Sequence, residues 1–144
     1  MEVKDNISSN IIFITGGTKS GKSEFAEYLG RKIKKITYIA LSESRPEDIN
    51  WQKKIGNHRK RRPKEWGLVE TNNLIHTLKN ENGPILIDSI GGFIMESINK
   101  NDEEWEKMIN SLLDLLVMRV KTTLIVGEQV AGVWFQNMKL VINI

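Results

Sequence analysis

A glycine-rich stretch of the chain carries residue types that bind phosphate. It reads Gly16-Gly17-Thr18-Lys19-Ser20-Gly21-Lys22-Ser23 and satisfies the pattern G-x-x-x-x-G-K-S/T. In such a loop the backbone N–H groups curl around phosphate oxygens, the lysine reaches the β- and γ-phosphates, and the hydroxyl ligates Mg²⁺. The sequence therefore predicts a nucleoside triphosphate site, with Lys22 at the phosphates and Ser23 at the magnesium ion.

A second feature, the carboxylate of Asp88, ends the apolar run Ile85-Leu86-Ile87. P-loop proteins place at such a strand end the carboxylate that holds Mg²⁺ directly or through water. An aspartate at a strand end also serves simply to cap the following helix. The residue types alone leave these two interpretations open.

A third feature is the basic segment, Lys53–Lys64, which contains His58-Arg59-Lys60-Arg61-Arg62-Pro63. It offers an imidazole nucleophile beside guanidinium groups that could neutralise a triphosphate. A run of charges is more often a solvated helix end, and composition alone favours that interpretation. The chain's other histidine, His76, has no partner pattern and is predicted to be an ordinary histidine on a helix surface.

Strands and helices alternate along the chain and position these features. Apolar runs at 11–15, 36–40, 66–70, 85–88 and 122–126 predict strands, while periodic apolar spacing predicts helices over 23–34, around 74–78, over 93–99 and over 104–120. A further predicted helix opens near Pro46 and ends at Arg62-Pro63. This alternation predicts an α/β fold with a mainly parallel sheet, and it puts the phosphate loop between the first strand and the first helix.

Composition narrows the class of protein. A chain of 144 residues with 40% hydrophobic content supports one core and therefore one domain. The absence of cysteine excludes disulfide frameworks, thiolate nucleophiles and Cys-ligated metal sites. Seven of the 21 Lys and Arg residues lie in the basic segment with no acid among them, which leaves 14 cationic and 18 acidic residues elsewhere. This asymmetry favours a localised anion site over a general nucleic-acid coat.

The longest apolar stretches are interrupted by charges and fall short of the roughly 18 residues of a membrane span. Residues 1–10 contain Glu2 and Asp5 and no long apolar run, so they are expected to form a short disordered extension rather than a secretory or transit signal. Together with the absence of cysteine, these features predict a cytoplasmic protein with no membrane span.

Several motifs occur in an order that resembles one known family. They are Ile14-Thr15-Gly16-Gly17, Tyr38-Ile39-Ala40, Ile55 with His58-Arg59 and Arg62-Pro63, Trp66, Glu70, and Leu86-Ile87-Asp88. Together they resemble the bifunctional adenosylcobinamide kinase and adenosylcobinamide-phosphate guanylyltransferase family of cobalamin biosynthesis, over about residues 11–130. The motifs beyond the phosphate loop make this resemblance far more specific than a P-loop alone.

The resemblance implies a P-loop NTPase-like (RecA-like) fold and two activities. With Mg²⁺, the family phosphorylates the hydroxyl of the cobinamide side chain with ATP or GTP, and it then transfers GMP from GTP to that phosphate through a guanylylated histidine. By resemblance, His58 and Lys22 are the catalytic residues, and the homo-oligomeric assembly takes a corrinoid, GTP and ATP as partners, with no nucleic acid. The implied nucleotide-contacting positions are residues 16–23, Ala40, Leu41, Ser42, Arg59, Lys60, Arg61, Arg62, Glu70 and Asp88.

Two other functions remain open. One is an inactive P-loop protein that binds GTP or ATP without becoming covalently labelled. The other, less favoured, is a nucleic-acid-binding protein that uses the basic segment, for which strongly salt-dependent binding is expected.

The chain departs from the family pattern at two places. Lys19 stands where the family commonly has arginine, which keeps the charge but not the planar guanidinium fork.

The second departure begins after Val130. There the family continues Gly-Trp-Gly-Val-Val-Pro, whereas this chain has a different sequence from Ala131 to Ile144. If codons 130–134 are GTG GCT GGG GTG TGG, reading one base earlier restores Gly-Trp-Gly-Val. We therefore expect a one-base deletion near codon 130, residues 131–144 as an atypical tail, and loss of the family's C-terminal helix and strand.

Overall fold

The structure, a computed structural model, describes residues 10–17, 19–41, 49, 53, 56, 60–96, 99–128 and 140–143. The predicted N-terminal extension therefore lies outside the described residues except for Asn10. The strands are β1 (Ile11–Thr15), β2 (Thr37–Leu41), β3 (Gly67–Thr71), β4 (Ile85–Asp88), β5 (Thr123–Gly127) and β6 (Leu140–Asn143). The helices are α1 (Lys22–Gly30), α2 (Leu74–Asn80), α3 (Ile90–Glu96) and α4 (Asp102–Val117).

The described strands form one parallel sheet in the order β3-β2-β4-β5-β1-β6. Because the strands are parallel, their carboxyl ends meet at one edge of the sheet, called here the carboxyl edge. Strand β5 lies between β1, which leads into the phosphate loop, and β4, which ends in Asp88. The predicted α/β fold with a parallel sheet is confirmed.

Helices cover both faces of the sheet. On one face α1 packs through Ala26 against a cluster that includes Ile14, Tyr38, Leu86 and Val126. On the other face, helices α2, α3 and α4 pack against a second cluster, to which the sheet contributes Phe13, Ile39, Ile87 and Ile125. Burial on both faces explains why these strands read as continuous apolar runs rather than as alternating polar and apolar residues.

Helix α1 ends four residues earlier than the apolar spacing predicts. After Gly30, the N–H of Lys32 donates to the Leu29 carbonyl at 3.1 Å and the N–H of Ile33 donates to Gly30 at 2.9 Å, so the chain tightens into turns. A Cβ atom at Gly30 would lie 2.9 Å from the Trp66 ring. The absence of a side chain at Gly30 therefore lets the end of the helix approach Trp66 closely, a long-range contact that local spacing could not reveal.

The C-terminal part of the chain adds strand β6 beside β1, with Val141 opposite Phe13 and Ile142 opposite Ile14. The sequence predicts residues 131–144 to be an atypical tail that lacks the family's C-terminal helix and strand, yet Leu140–Asn143 form a strand. Residues 131–139 and Ile144 lie outside the described part. Because β6 is present, β1 has a hydrogen-bonded neighbour on each side.

Helix α3 begins at Ile90, two residues after Asp88 and three residues earlier than predicted, and it lies against the end of β2. A Cβ atom at Gly92 would come within 2.3 Å of the Leu41 carbonyl oxygen and 3.0 Å of the Leu41 Cβ atom. The absence of a side chain at Gly92 therefore lets α3 approach the carboxyl end of β2 closely.

Substitution of Gly92 tests this close approach. Gly92→Ala is expected to lower the free energy of unfolding by about 1–3 kcal/mol, because the backbone carbonyl of Leu41 would have to move. The neighbouring Gly91→Ala is the control, since its Cβ atom would meet the Ser89 Oγ atom at 3.4 Å, an ordinary contact. In a helix that change stabilises by up to about 1 kcal/mol. Urea denaturation of both variants measures the difference, and equal stabilities would contradict the close approach.

Candidate nucleotide-binding site

The phosphate loop joins β1 to α1 in a strongly turned conformation. Lys19 and Gly21 have positive φ angles of 62° and 90°, and the N–H of Ser20 donates to the Gly17 carbonyl at 3.2 Å. Gly21 is the N-cap of α1 and supplies no side-chain hydrogen bond. The N–H groups of the first helical turn are therefore not blocked by a capping side chain, as phosphate binding requires.

The side chain of Lys22 folds back over this loop and is only 11% exposed. Its ammonium donates to the Gly17 carbonyl at 3.1 Å and lies 3.5 Å from Glu128 Oε1. Glu128 follows β5 directly, so the central strand delivers a carboxylate to the loop. Sequence reasoning did not single out Glu128 as a site residue, although its position just after an apolar run is the signal that identified Asp88.

Asp88, the predicted magnesium ligand, lies level with residues of the neighbouring strands in the sheet. Ala40 of β2 pairs with Asp88 on one side and with Glu70 of β3 on the other. Leu41 follows Ala40 at the end of β2, and Thr18 and Ser42 lie outside the described residues. The carboxyl edge thus brings together the phosphate loop and most of the described positions predicted from the strands.

A buried tyrosine contacts Asp88. Tyr38 of β2 is 4% exposed and donates its hydroxyl to Asp88 Oδ2 at 2.7 Å. Burial raises the pKa of Tyr38 well above its usual range, and the negative charge of Asp88 raises it further. The phenol therefore keeps its proton at neutral pH and acts as a hydrogen-bond donor to the carboxylate.

The described end of the basic segment is anchored to α1. Arg61 places Nε 3.0 Å from Glu27 Oε1 and Nη2 3.3 Å from Glu27 Oε2, while Nη1 lies 3.4 Å from Glu24 Oε1. Glu27 is 1% exposed, so its charge requires a partner of this kind. The hydrogen bond that Arg61 donates to Glu27 is the main cause that raises the pKa of Arg61.

The next residue, Arg62, makes a different contact. Its guanidinium carbon lies 3.9 Å from the centre of the Tyr38 ring, within the range of a cation–π interaction. Lys60 is exposed, and His58 and Arg59 lie outside the described residues. The end of the basic segment is therefore packed against α1 and β2 rather than being a purely solvated charge run.

The described residues offer oxygen donors of the kind that a nucleotide-bound magnesium ion takes. None of their histidine, aspartate and glutamate side chains forms a group of three that could hold a metal alone. Mg²⁺ is usually bound by one or two carboxylates together with phosphate oxygens and water. The Ser23 hydroxyl and the Asp88 carboxylate are hard oxygen donors of the required type.

Two remaining features can be placed. His76 is exposed on α2, and its backbone N–H donates to the Asn73 side chain at 3.1 Å, which confirms the prediction of an ordinary helix-surface histidine. Across the described part of the chain, every helix is too short or too polar to cross a membrane.

The parallel sheet, the turned glycine-rich loop and the acidic strand end define a protein of the P-loop class. More specifically, the chain matches the family model for cobinamide kinase / cobinamide phosphate guanyltransferase over residues 12–139, and it belongs to that family. The resemblance found in the motifs is thereby confirmed. The family match also runs past Val130, where the motif-by-motif resemblance ends.

A curated relative and a solved structure are also similar to the chain. Over 121 residues it is 30% identical to the bifunctional adenosylcobalamin biosynthesis protein CobU of Escherichia coli (strain K12), a match that covers 74% of this chain. The chain spans 66% of that relative's length. The crystal structure of KaiC-like protein PH0186 from Pyrococcus horikoshii OT3 superposes with a TM-score of 0.46 at 21% identity, covering 84% of this chain and 63% of that one.

The contact between Lys22 and Glu128 makes a testable prediction about nucleotide affinity. Glu128→Gln is expected to tighten the binding of ATP with Mg²⁺ severalfold, because phosphate no longer has to displace a carboxylate from Lys22. Calorimetric titration at low and high salt measures the change, which should shrink as salt screens the exposed carboxylate.

Glu103→Gln provides the matched control. Glu103 also pairs with a lysine, since its Oε1 atom lies 3.6 Å from Lys107 Nζ, but it does so on the exposed surface of α4. This control should bind ATP like the unmodified protein. Unchanged or weaker ATP binding in Glu128→Gln would show that Glu128 does not compete with phosphate for Lys22.

Proposed function

We propose that the chain is a cobinamide kinase and cobinamide-phosphate guanylyltransferase of cobalamin biosynthesis. The observation that carries this proposal is the family match over residues 12–139, which includes the phosphate loop, the basic segment and Asp88. The geometry supports it, because Lys22 and Asp88 lie at the carboxyl edge, Tyr38 donates its hydroxyl to Asp88, and Arg62 packs on the Tyr38 ring. As part of the proposal, the protein acts in the cytoplasm as a homo-oligomer.

In the kinase reaction, the hydroxyl oxygen of the adenosylcobinamide side chain attacks the γ-phosphorus of ATP or GTP. The bond to the β-γ bridging oxygen breaks, the nucleoside diphosphate leaves, and the hydroxyl proton passes to solvent. Lys22 and the N–H groups at the start of α1 stabilise the negative charge on the transferring phosphoryl group. Mg²⁺ bound by Ser23 and Asp88 would supply further charge neutralisation.

In the guanylyl transfer, a neutral imidazole nitrogen of His58 attacks the α-phosphorus of GTP and pyrophosphate leaves. A phosphate oxygen of the corrinoid product then attacks the same phosphorus and displaces the histidine, which returns to its neutral form. His58 lies outside the described residues, but Arg61 is three positions further along the chain and is anchored to Glu27. That anchor supports a fixed approach of the basic segment to the nucleotide.

The nucleic-acid alternative is disfavoured by the same contacts. Arg61 and Arg62, two of the seven cations of the basic segment, are engaged with Glu27 and with the Tyr38 ring. A surface that binds a phosphate backbone needs its cations directed to solvent.

The first experiment tests guanylyl transfer. Incubation with Mg²⁺ and GTP labelled at the α-phosphate should transfer label to the protein, and the bond should be labile to acid and stable to alkali, as expected for a phosphoramidate. His58→Ala should abolish labelling. His76→Ala is the matched control and should keep it, because the chain has two histidines and His76 is an exposed residue of α2.

Two outcomes would contradict this half of the proposal. Labelling that survives His58→Ala but is lost in His76→Ala would show that His76, and not His58, accepts the guanylyl group. A folded protein that binds GTP and takes up no label would instead favour a nucleotide-binding protein without transfer activity.

The second experiment tests the kinase reaction. Lys22→Met is expected to reduce phosphorylation of adenosylcobinamide by about 100-fold or more, because the transferring phosphoryl group loses its cation. Lys79→Met, in the last turn of α2, should leave the rate unchanged. Product formation with ATP and with GTP, each measured separately, identifies the preferred donor. Equal rates in Lys22→Met and Lys79→Met would exclude Lys22 from catalysis.

A further inference from the structure

The hydrogen bond between Tyr38 and Asp88 links the second residue of β2 to the carboxylate that ends the neighbouring strand, β4. Ala40 pairs with Asp88, and Tyr38 precedes Ala40 by two residues, so the side chain of Tyr38 lies on the same face of the sheet. The phenol extends along that face and donates to Asp88 Oδ2 at 2.7 Å. That length is typical of a hydroxyl bound to a charged carboxylate.

Tyr38 is itself held on several sides. Its ring belongs to the cluster beneath α1, together with Ile14, Leu86 and Val126. The Arg62 guanidinium lies 3.9 Å from the centre of the ring. A buried side chain packed in this way has little rotamer freedom, so its hydroxyl fixes the orientation of the carboxylate it contacts.

We propose that Tyr38 is a positioning residue for Asp88 in the binding of the nucleotide-bound magnesium ion, an inference that rests on the function proposed above. The Tyr38 hydroxyl occupies Oδ2, which leaves Oδ1 for the metal or one of its water molecules. Arg62 holds the ring of Tyr38 in turn. The basic segment that carries His58 is thereby connected to the carboxylate used in phosphoryl transfer.

A purely structural role for Tyr38 makes a different prediction. If the hydroxyl served only to satisfy a buried polar group, its removal would change the stability of the fold and leave the metal dependence of nucleotide binding unchanged. A positioning role requires the opposite: an altered response to Mg²⁺ with little change in metal-free binding. The two roles are therefore separated by measuring nucleotide affinity with and without the metal.

The test uses Tyr38→Phe in the full chain and a non-hydrolysable ATP analogue. The quantity measured is the factor by which Mg²⁺ increases the affinity for the analogue, obtained by calorimetry. This factor is expected to fall about tenfold in Tyr38→Phe, the lower end of the losses seen when a group that orients a metal ligand is removed. Affinity in the presence of a chelator should stay within about twofold.

Tyr28→Phe is the matched control. The chain has two tyrosines, and Tyr28 on α1 is 49% exposed, so the same loss of one oxygen occurs away from the carboxylate. Its magnesium factor should equal that of the unmodified protein. An unchanged factor in Tyr38→Phe would overturn the proposal.

Asp88→Asn distinguishes failure of this inference from failure of the proposed function. If Asp88→Asn abolishes the magnesium factor and Tyr38→Phe does not change it, Asp88 holds the metal and only the role of Tyr38 is refuted. If Asp88→Asn keeps the full factor, the metal role that the proposed function gives to Asp88 is refuted as well.

A second measurement covers the case in which Tyr38→Phe does not fold. In Tyr28→Phe protein grown with 3-fluorotyrosine, Tyr38 gives a single fluorine resonance. With the ATP analogue present, Mn²⁺ in place of Mg²⁺ is expected to broaden that resonance strongly, and Asp88→Asn should raise the Mn²⁺ concentration needed for the same broadening. A resonance unaffected by Mn²⁺ would place the metal away from Tyr38 and overturn the proposal.

Discussion

Burial of the parallel sheet on both faces is the constraint on which the rest of the structure depends. Helices cover each face, so polar and charged groups of the inner strands are confined to the strand ends or must find partners. The phosphate loop, Glu128 and Asp88 are examples of polar groups confined to strand ends, since each lies where a strand ends. Tyr38 is an example of a buried polar group with a partner, because its hydroxyl is buried and donates to Asp88.

The same rule accounts for the attachment of the basic segment. Glu27 is buried on the helix that starts at the phosphate loop, and a buried carboxylate is stable only with a cation and hydrogen bonds. Arg61 supplies both, and the next residue, Arg62, packs on Tyr38. Two adjacent arginines therefore connect the basic segment to the loop helix and to the acidic strand end. The buried charge of Glu27, which requires a cation, therefore determines where the basic segment lies.

Much of this arrangement could be predicted from local sequence. The phosphate loop has a fixed spacing and lies between an apolar run and a segment with helical apolar spacing. Its position and the alternating strands and helices could therefore be predicted from the sequence. The contacts between distant residues could not be predicted in this way. The pairing of Arg61 with Glu27 spans 34 residues, and nothing in the pattern around either residue indicates the other. The close approach of Gly30 to Trp66 could not be predicted for the same reason. The role of His58 stays a prediction, since it lies outside the described residues.

Strand β6 has a practical consequence for work on this protein. Asn143 pairs with Thr15, the residue that precedes the phosphate loop, so the backbone leaves β6 at the carboxyl edge. A fluorophore attached just after Asn143 would start within one strand spacing of the loop, where it would sense nucleotide, and a bulky tag there would crowd the same space. Strand β1 begins at the opposite edge of the sheet, at Ile11. A spectroscopic reporter therefore belongs beside Asn143, and a bulky attachment belongs at the edge of the sheet where β1 begins.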